Sequence, residues 1–216
     1  MTTALVRRGL VVALGLALMG AEAVAQKSRA PVDPRTVPQL KAELDRAASL
    51  GFQVTPLYAV ARNGALRAAS TNEIRDAMRG LTDRLVSARE ALTPVQGDGE
   101  LVAGAMAIQV GVPPEVLQSM RALQRTRSLA VPIGVLQELV VRGVPVKKAA
   151  ATVTQFIRAN ATDAAISAVA SDMPALIAQG LAPSVALDLR SRGVLSLPQG
   201  LPQGAAVATN PKGPPR

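Results

Sequence analysis

The tripeptide Gly-Val-Pro stands at residues 111–113 and again at 143–145, each time between one apolar run of helical period and the next. Glycine ends a helix because it takes the left-handed conformation of a C-terminal cap. Proline begins the following one because its fixed φ is helical and its missing amide has no intrahelical partner there. One short corner thus stops the chain and restarts it. Proline or a polar residue opens the later segments in the same way, at Pro113 and Pro114, Pro132, Pro145, Thr162, Pro174 and Pro183. With corners at Gly111, Ala130, Gly143, Asn160, Gly180 and Gly193, the last four intervals are 13, 17, 20 and 13, which predicts a three-helix unit recurring every 50 residues. Val135 and Val185, Leu139 and Leu189, and Arg142 and Arg192 fall in register under that shift. Gly51 and Ala68 repeat the 17-residue interval of Gly143 and Asn160.

The material between the corners is helical in character. Hydrophobic residues make up 49% of the 216-residue chain, mostly Ala, Val and Leu, and the aromatics are Phe52, Tyr58 and Phe156. Strong helix formers dominate, and the short glycine hairpin turns of a sheet protein are missing. Apolar positions recur at Leu40, Leu44 and Ala47 or Ala48, at Leu57, Val60 and Ala61, and at Ile74, Met78, Leu81, Leu85, Ala88 and Leu92. The last series predicts the longest helix. Ser70 and Glu73 supply a capping box at its start, and Arg79 and Asp83 stand four apart on one face. Gly80 in its middle could mark a close crossing of helices. From Pro145, the residues Val146, Ala149, Ala150, Val153, Phe156 and Ile157 form an apolar stripe opposite Lys147, Lys148, Thr152 and Arg158. The expected fold is all-α, an array of short antiparallel helices that is either α-solenoid-like or a compact orthogonal bundle.

Both ends read differently. Residues 1–25 place Arg7 and Arg8 before an apolar run from Gly9 to Gly20 and a small-x-small ending, the layout of a secretory signal peptide cleaved between Ala25 and Gln26. The run is shorter than the roughly 20 residues a spanning helix needs, so no transmembrane span is expected in the mature chain. Export by the general route fits better than the twin-arginine route. A bacterial periplasmic or secreted location follows. Residues 26–35 read as a flexible lead-in, 36–193 as the helical domain, and 194–216, with a tandem Leu-Pro-Gln-Gly, as a disordered tail.

The stretch from residue 51 to 92 resembles uncharacterised secreted bacterial helical proteins with a Gly-Leu-Pro-x-x-Pro-Leu start and a Gly-Val-Pro corner further on. Gly51, Pro56 and Leu57 match, while Ala68, Ala69 and Ser70 replace the corner. The resemblance covers about a fifth of the chain and implies helical corners but no activity.

Residue types exclude much chemistry. The chain has no histidine and no cysteine, which removes His-based serine triads, thiol nucleophiles and the usual zinc ligands, as well as any disulfide. A glycosidase needs two facing carboxylates, normally with aromatic sugar platforms, and the acids here are scattered. A carboxylate hydrolase built on Glu115 and Glu138 is the weakest class still open. Lys147 or Lys148 as the base of a Ser-Lys dyad is disfavoured, because adjacent lysines at a helix start are ordinarily solvated. Asp98, between Gly97 and Gly99, reads as a helix cap rather than a calcium ligand. No phosphate loop or dinucleotide fingerprint occurs. No cofactor or metal is expected, and the chain reads as a non-enzyme.

Charge remains. Lysine and arginine number 24 against 15 acids, a net charge of +9. The basic residues gather as Arg121, Arg125 and Arg127, as Arg142, Lys147 and Lys148, and as Arg190 with Arg192. The first six are the candidate contacts for an anionic partner. Export and the shortage of aromatics speak against nucleic acid. The function expected is a protein-interaction or structural module of the cell envelope, bound to another envelope or secreted protein. The alternative is a cationic module on anionic lipid or polysaccharide.

Overall fold

A computed structural model describes residues 33–196. Among these residues the chain is helical throughout, with no strand: α1 (Pro38–Ser49), α2 (Thr55–Leu66), α3 (Thr71–Ala91), α4 (Asp98–Gln109), α5 (Pro114–Leu123), α6 (Ala130–Val141), α7 (Val146–Arg158), α8 (Asp163–Ala178) and α9 (Pro183–Ser196). The chain is an all-α array. The cleavage site at Ala25 and Gln26, the body of the lead-in and residues 197–216 lie outside the described residues. α9 carries the helix on to Ser196, beyond the boundary expected at 193.

Six corners share one hydrogen-bonding scheme. At Gly143, φ is 90°, its N–H donates to the Val140 carbonyl (2.9 Å), and the Val144 N–H donates to the Leu139 carbonyl (3.0 Å). This is a Schellman motif, in which the left-handed residue turns two orphan carbonyls back onto amides. Gly51, Ala68, Gly111, Asn160 and Gly180 repeat it with positive φ and the same donor pattern. The residue after each corner then drops onto the helix it has just left. Phe52, Val112, Val144 and Ala161 are all buried there. Residues 38–49, 51 and 68 are helix, corner and corner, and residues 130–141, 143 and 160 reproduce that spacing.

Two of the expected corners are not corners. Ala130 is the first residue of α6, and Gly193 lies inside α9. A 50-residue shift therefore lays the start of a helix, Ala130, on the end of one, Gly180, so the proposed three-helix repeat does not exist as drawn. Pro174 does not open a helix but sits within α8. Pro113 and Pro145 occupy the cap position in extended conformation rather than the first helical turn. There they end the corner by refusing the helical register one residue early.

Packing follows two rows. α4, α6 and α8 touch in succession, as do α3, α5, α7 and α9, and the rows are joined where α3 meets α4, α6 meets α7 and α8 meets α9. α1 and α2 lie against α3. One continuous aliphatic core runs through both rows, from Leu40 to Leu187. Several of these helices are too short to persist alone in water, so each is stabilised by its neighbours.

The apolar series of α3 is buried as its spacing requires: Ile74, Met78, Leu81, Leu85, Ala88 and Leu92. Its capping box is formed, with the Ser70 N–H donating to Glu73 Oε2 (2.7 Å) and the Glu73 N–H to Ser70 Oγ (3.3 Å). These bonds, backbone first, hold the Glu73 carboxyl below its ordinary range. Arg79 and Asp83 form no ion pair along α3, although the charge of Asp83 adds a minor favourable contribution at Arg79 after that of Glu43. Arg79 donates twice to Glu43 Oε1 (3.1 and 2.6 Å) and Arg46 donates to Asp83 (2.7 Å), so both reach across to α1. In α7 the expected stripe is covered, and Thr152 joins it as a buried residue.

Close crossings occur at other glycines than Gly80. A Cβ on Gly104 of α4 would stand 2.9 Å from Leu92 Cδ1 and 3.0 Å from the Ala88 Cβ. One on Gly64 of α2 would stand 2.6 Å from Ile74 Cγ1. A Cβ on Gly80 would meet no neighbouring helix within 4 Å. Its nearest contact would be Nη1 of Arg84, on its own helix, at 3.3 Å.

Candidate functional site

The cations singled out in the sequence do not form one patch. Arg121 is 3% exposed and is not available to a partner. Its Nη2 pairs with Glu100 Oε1, its Nε donates to the Leu92 carbonyl (3.1 Å), and its Nη1 donates to the carbonyls of Gln124 (2.6 Å) and Arg127 (3.2 Å). Glu100 is just as buried and also accepts from the amides of Gln96 (2.7 Å) and Leu129 (2.8 Å). This buried pair clamps the start of α4, the end of α3, the end of α5 and the approach to α6. Asp98, the expected cap, is instead the first residue of α4 after Gly97 and accepts from Gln53 Nε2 at 2.5 Å.

The remaining clusters are largely neutralised by carboxylates on neighbouring elements. Arg127 pairs with Asp163 at the start of α8 and donates to the Ala161 carbonyl. Arg142 pairs with Glu138 one turn back (2.5 Å), Lys148 with Asp188 of α9 (2.6 Å), and Arg190 with Asp172 of α8 (3.4 Å). Arg125, Lys147 and Arg192 stay exposed and have no ion pair among the described residues. Glu138 is thus engaged by Arg142, and Glu115 lies exposed at the start of α5. No group of three or more acids among the described residues could hold a metal ion, and no described helix is long and apolar enough to cross a membrane.

A different feature draws polar and apolar groups together. α2, α3 and α4 enclose an open groove of about 550 Å³. Val60, Ile74, Leu81 and Met106 supply its aliphatic surface, and Asn63 and Gln109 supply amides. Arg67 stands exposed at the rim with no ion pair among the described residues. Arg84 is half-buried within it. Its Nε is buried without a hydrogen-bond partner, and its Nη2 makes only a long contact of 3.4 Å to Gln109 Oε1. Burial pulls this guanidinium below its ordinary range, offset in part by the charge of Asp83. An arginine nonetheless stays protonated at any physiological pH.

The local sequence explains the placement. Helical side chains lean toward the N-terminus, so Arg84 folds back over the turn that holds Gly80. With the Arg84 Nη1 only 3.3 Å from where a Cβ on Gly80 would sit, a larger side chain there would crowd the guanidinium. Gly80 four residues before an arginine was the available signal, but spacing alone does not distinguish it from a helix crossing. The acids around the groove are committed elsewhere: Glu73 to Ser70, Asp76 to Arg75 (2.8 Å) and Asp83 to Arg46. Comparison with protein-family models, with curated proteins and with solved structures returned no match.

Proposed function

We propose that this chain is an exported, non-enzymatic helical-repeat protein that binds another protein of the bacterial envelope, with the α2–α4 groove as its contact surface. The observation that carries the reading is the groove itself. It combines an aliphatic floor with an arginine that makes no ion pair among the described residues, whereas the half-buried Arg75, Arg127, Arg142 and Lys148 each pair with a carboxylate. The residue composition supports it, because histidine and cysteine are absent and most of the described acids serve as caps or ion-pair partners. Stacked helices commonly present such open surfaces for binding.

The test is a pull-down from envelope extract with the wild-type chain and with Ala77→Trp, an exposed α3 position on the groove. Expected is a protein partner whose recovery saturates with extract and falls with the tryptophan. Absence of any saturable protein partner contradicts the reading. A second reading, adhesion to anionic lipid or polysaccharide, is favoured by the unpaired, exposed Arg125, Lys147 and Arg192. It requires liposome or polyanion binding that weakens steeply with salt.

A further inference from the structure

We infer that the α2–α4 groove recognises a carboxylate side chain, Asp or Glu, carried on an otherwise aliphatic segment of the partner protein, with Arg84 as its receptor. This deepens the binding role proposed above and rests on it.

Arg84 is a charged group held in a partly desolvated place without the hydrogen bonds that normally accompany burial. Its Nε has no partner, and Nη2 reaches Gln109 only at 3.4 Å. A guanidinium presents a planar fork that matches the two oxygens of a carboxylate, and bidentate pairing is its strongest common interaction. A carboxylate arriving from outside would displace the long Gln109 contact and pair with the terminal nitrogens of the guanidinium, whose buried Nε has no partner inside the fold to hold the fork elsewhere. Arg67 at the rim has no ion pair among the described residues and adds to the attraction. The apolar part of the groove lining is Val60, Ile74, Leu81 and Met106, so the groups that flank the carboxylate on that side should be aliphatic rather than polar.

Rim charges narrow the choice of anion. Glu73 and Asp76 also border the groove, and although each is bound to a neighbour, both repel a second negative charge. A singly charged carboxylate meets less of that repulsion than a doubly charged phosphate does. The net charge of +9 favours an acidic partner in general, whereas this groove selects one carboxylate at one depth.

Two immobilised libraries of seven-residue peptides test the inference against the full chain, one with a fixed central Glu, the other with Gln, and aliphatic residues elsewhere. The wild type should retain the Glu library about tenfold more strongly than the Gln library, the scale of one charge-assisted hydrogen bond. Arg84→Met, which keeps the aliphatic stem, should bring the ratio to near one. Arg125→Met, outside the groove, should leave it unchanged, and far-UV circular dichroism should confirm that both variants are folded. A ratio near one for the wild type overturns the inference, as does a ratio that survives Arg84→Met. A third library with a fixed central phosphoserine is run alongside, and its stronger retention than the Glu library overturns the assignment of a carboxylate. If the Glu preference is missing while an envelope protein is still captured saturably, the carboxylate assignment fails and the binding role stands. Loss of both removes both.

Discussion

Glu100 and Arg121 make a single buried ion pair whose remaining hydrogen-bonding capacity is taken up by two amides and three carbonyls. Removing one partner leaves the other charge buried and uncompensated. Glu100→Gln should therefore destabilise the fold by about 3–5 kcal/mol, read as a lower denaturant midpoint. Arg142→Met removes a half-exposed pair one turn apart and should cost less than about 1 kcal/mol. Equal losses in the two variants would contradict the structural role given to Glu100. The sequence shows that Arg121 is charged but not that Glu100, far along the chain, will meet it, and a basic residue beside Arg125 and Arg127 reads naturally as surface. Arg84 was missed for the opposite reason. It follows Asp83 directly in the sequence, and only the fold shows that Asp83, Glu73 and Asp76 are bound elsewhere. The capping box at Ser70 and Glu73, by contrast, was legible because all of its partners lie within four residues.

At the scale of the element, local chemistry decided what could be read. Gly-Val-Pro marks true corners because the left-handed glycine and the following proline each forbid the helix from continuing, one by conformation and one by its missing amide. Gly193 is also followed by valine, but no proline comes after it, and the helix runs through. The two glycines should respond to alanine with opposite sign. Gly143→Ala forces a Cβ into a left-handed conformation (φ 90°) and should cost about 1–2 kcal/mol. Gly193→Ala, with no neighbouring atom within 4 Å of the added Cβ, should raise stability by up to about 1 kcal/mol. Thermal melts of the two variants distinguish them, and a destabilised Gly193→Ala would restore the residue as a corner. Pro174 inside α8 warns that proline signals a helix start only when a corner precedes it.

For the molecule as a whole, the all-α class was legible because composition and period act additively over many residues, whereas the 50-residue repeat was not. Its evidence lay in the spacing of small residues, and the true neighbours of each helix are set by aliphatic packing that spacing does not encode. Residues 38–68 and 130–160 share their helix and corner spacing, yet their contacts differ: α1 and α2 both pack on α3, while α6 packs on α7 and on α8. The corners are therefore interchangeable local devices, and the two-row array is what the core makes of them. Native-state hydrogen exchange followed by NMR tests this most directly at six amides, those of Phe52, Ala69, Val112, Val144, Ala161 and Leu181. Each donates back into the helix that its corner ends. If these corners tie the helices into one array, all six amides should exchange as slowly as amides inside the adjoining helices. Exchange at the rate of an unstructured chain at these positions would contradict it.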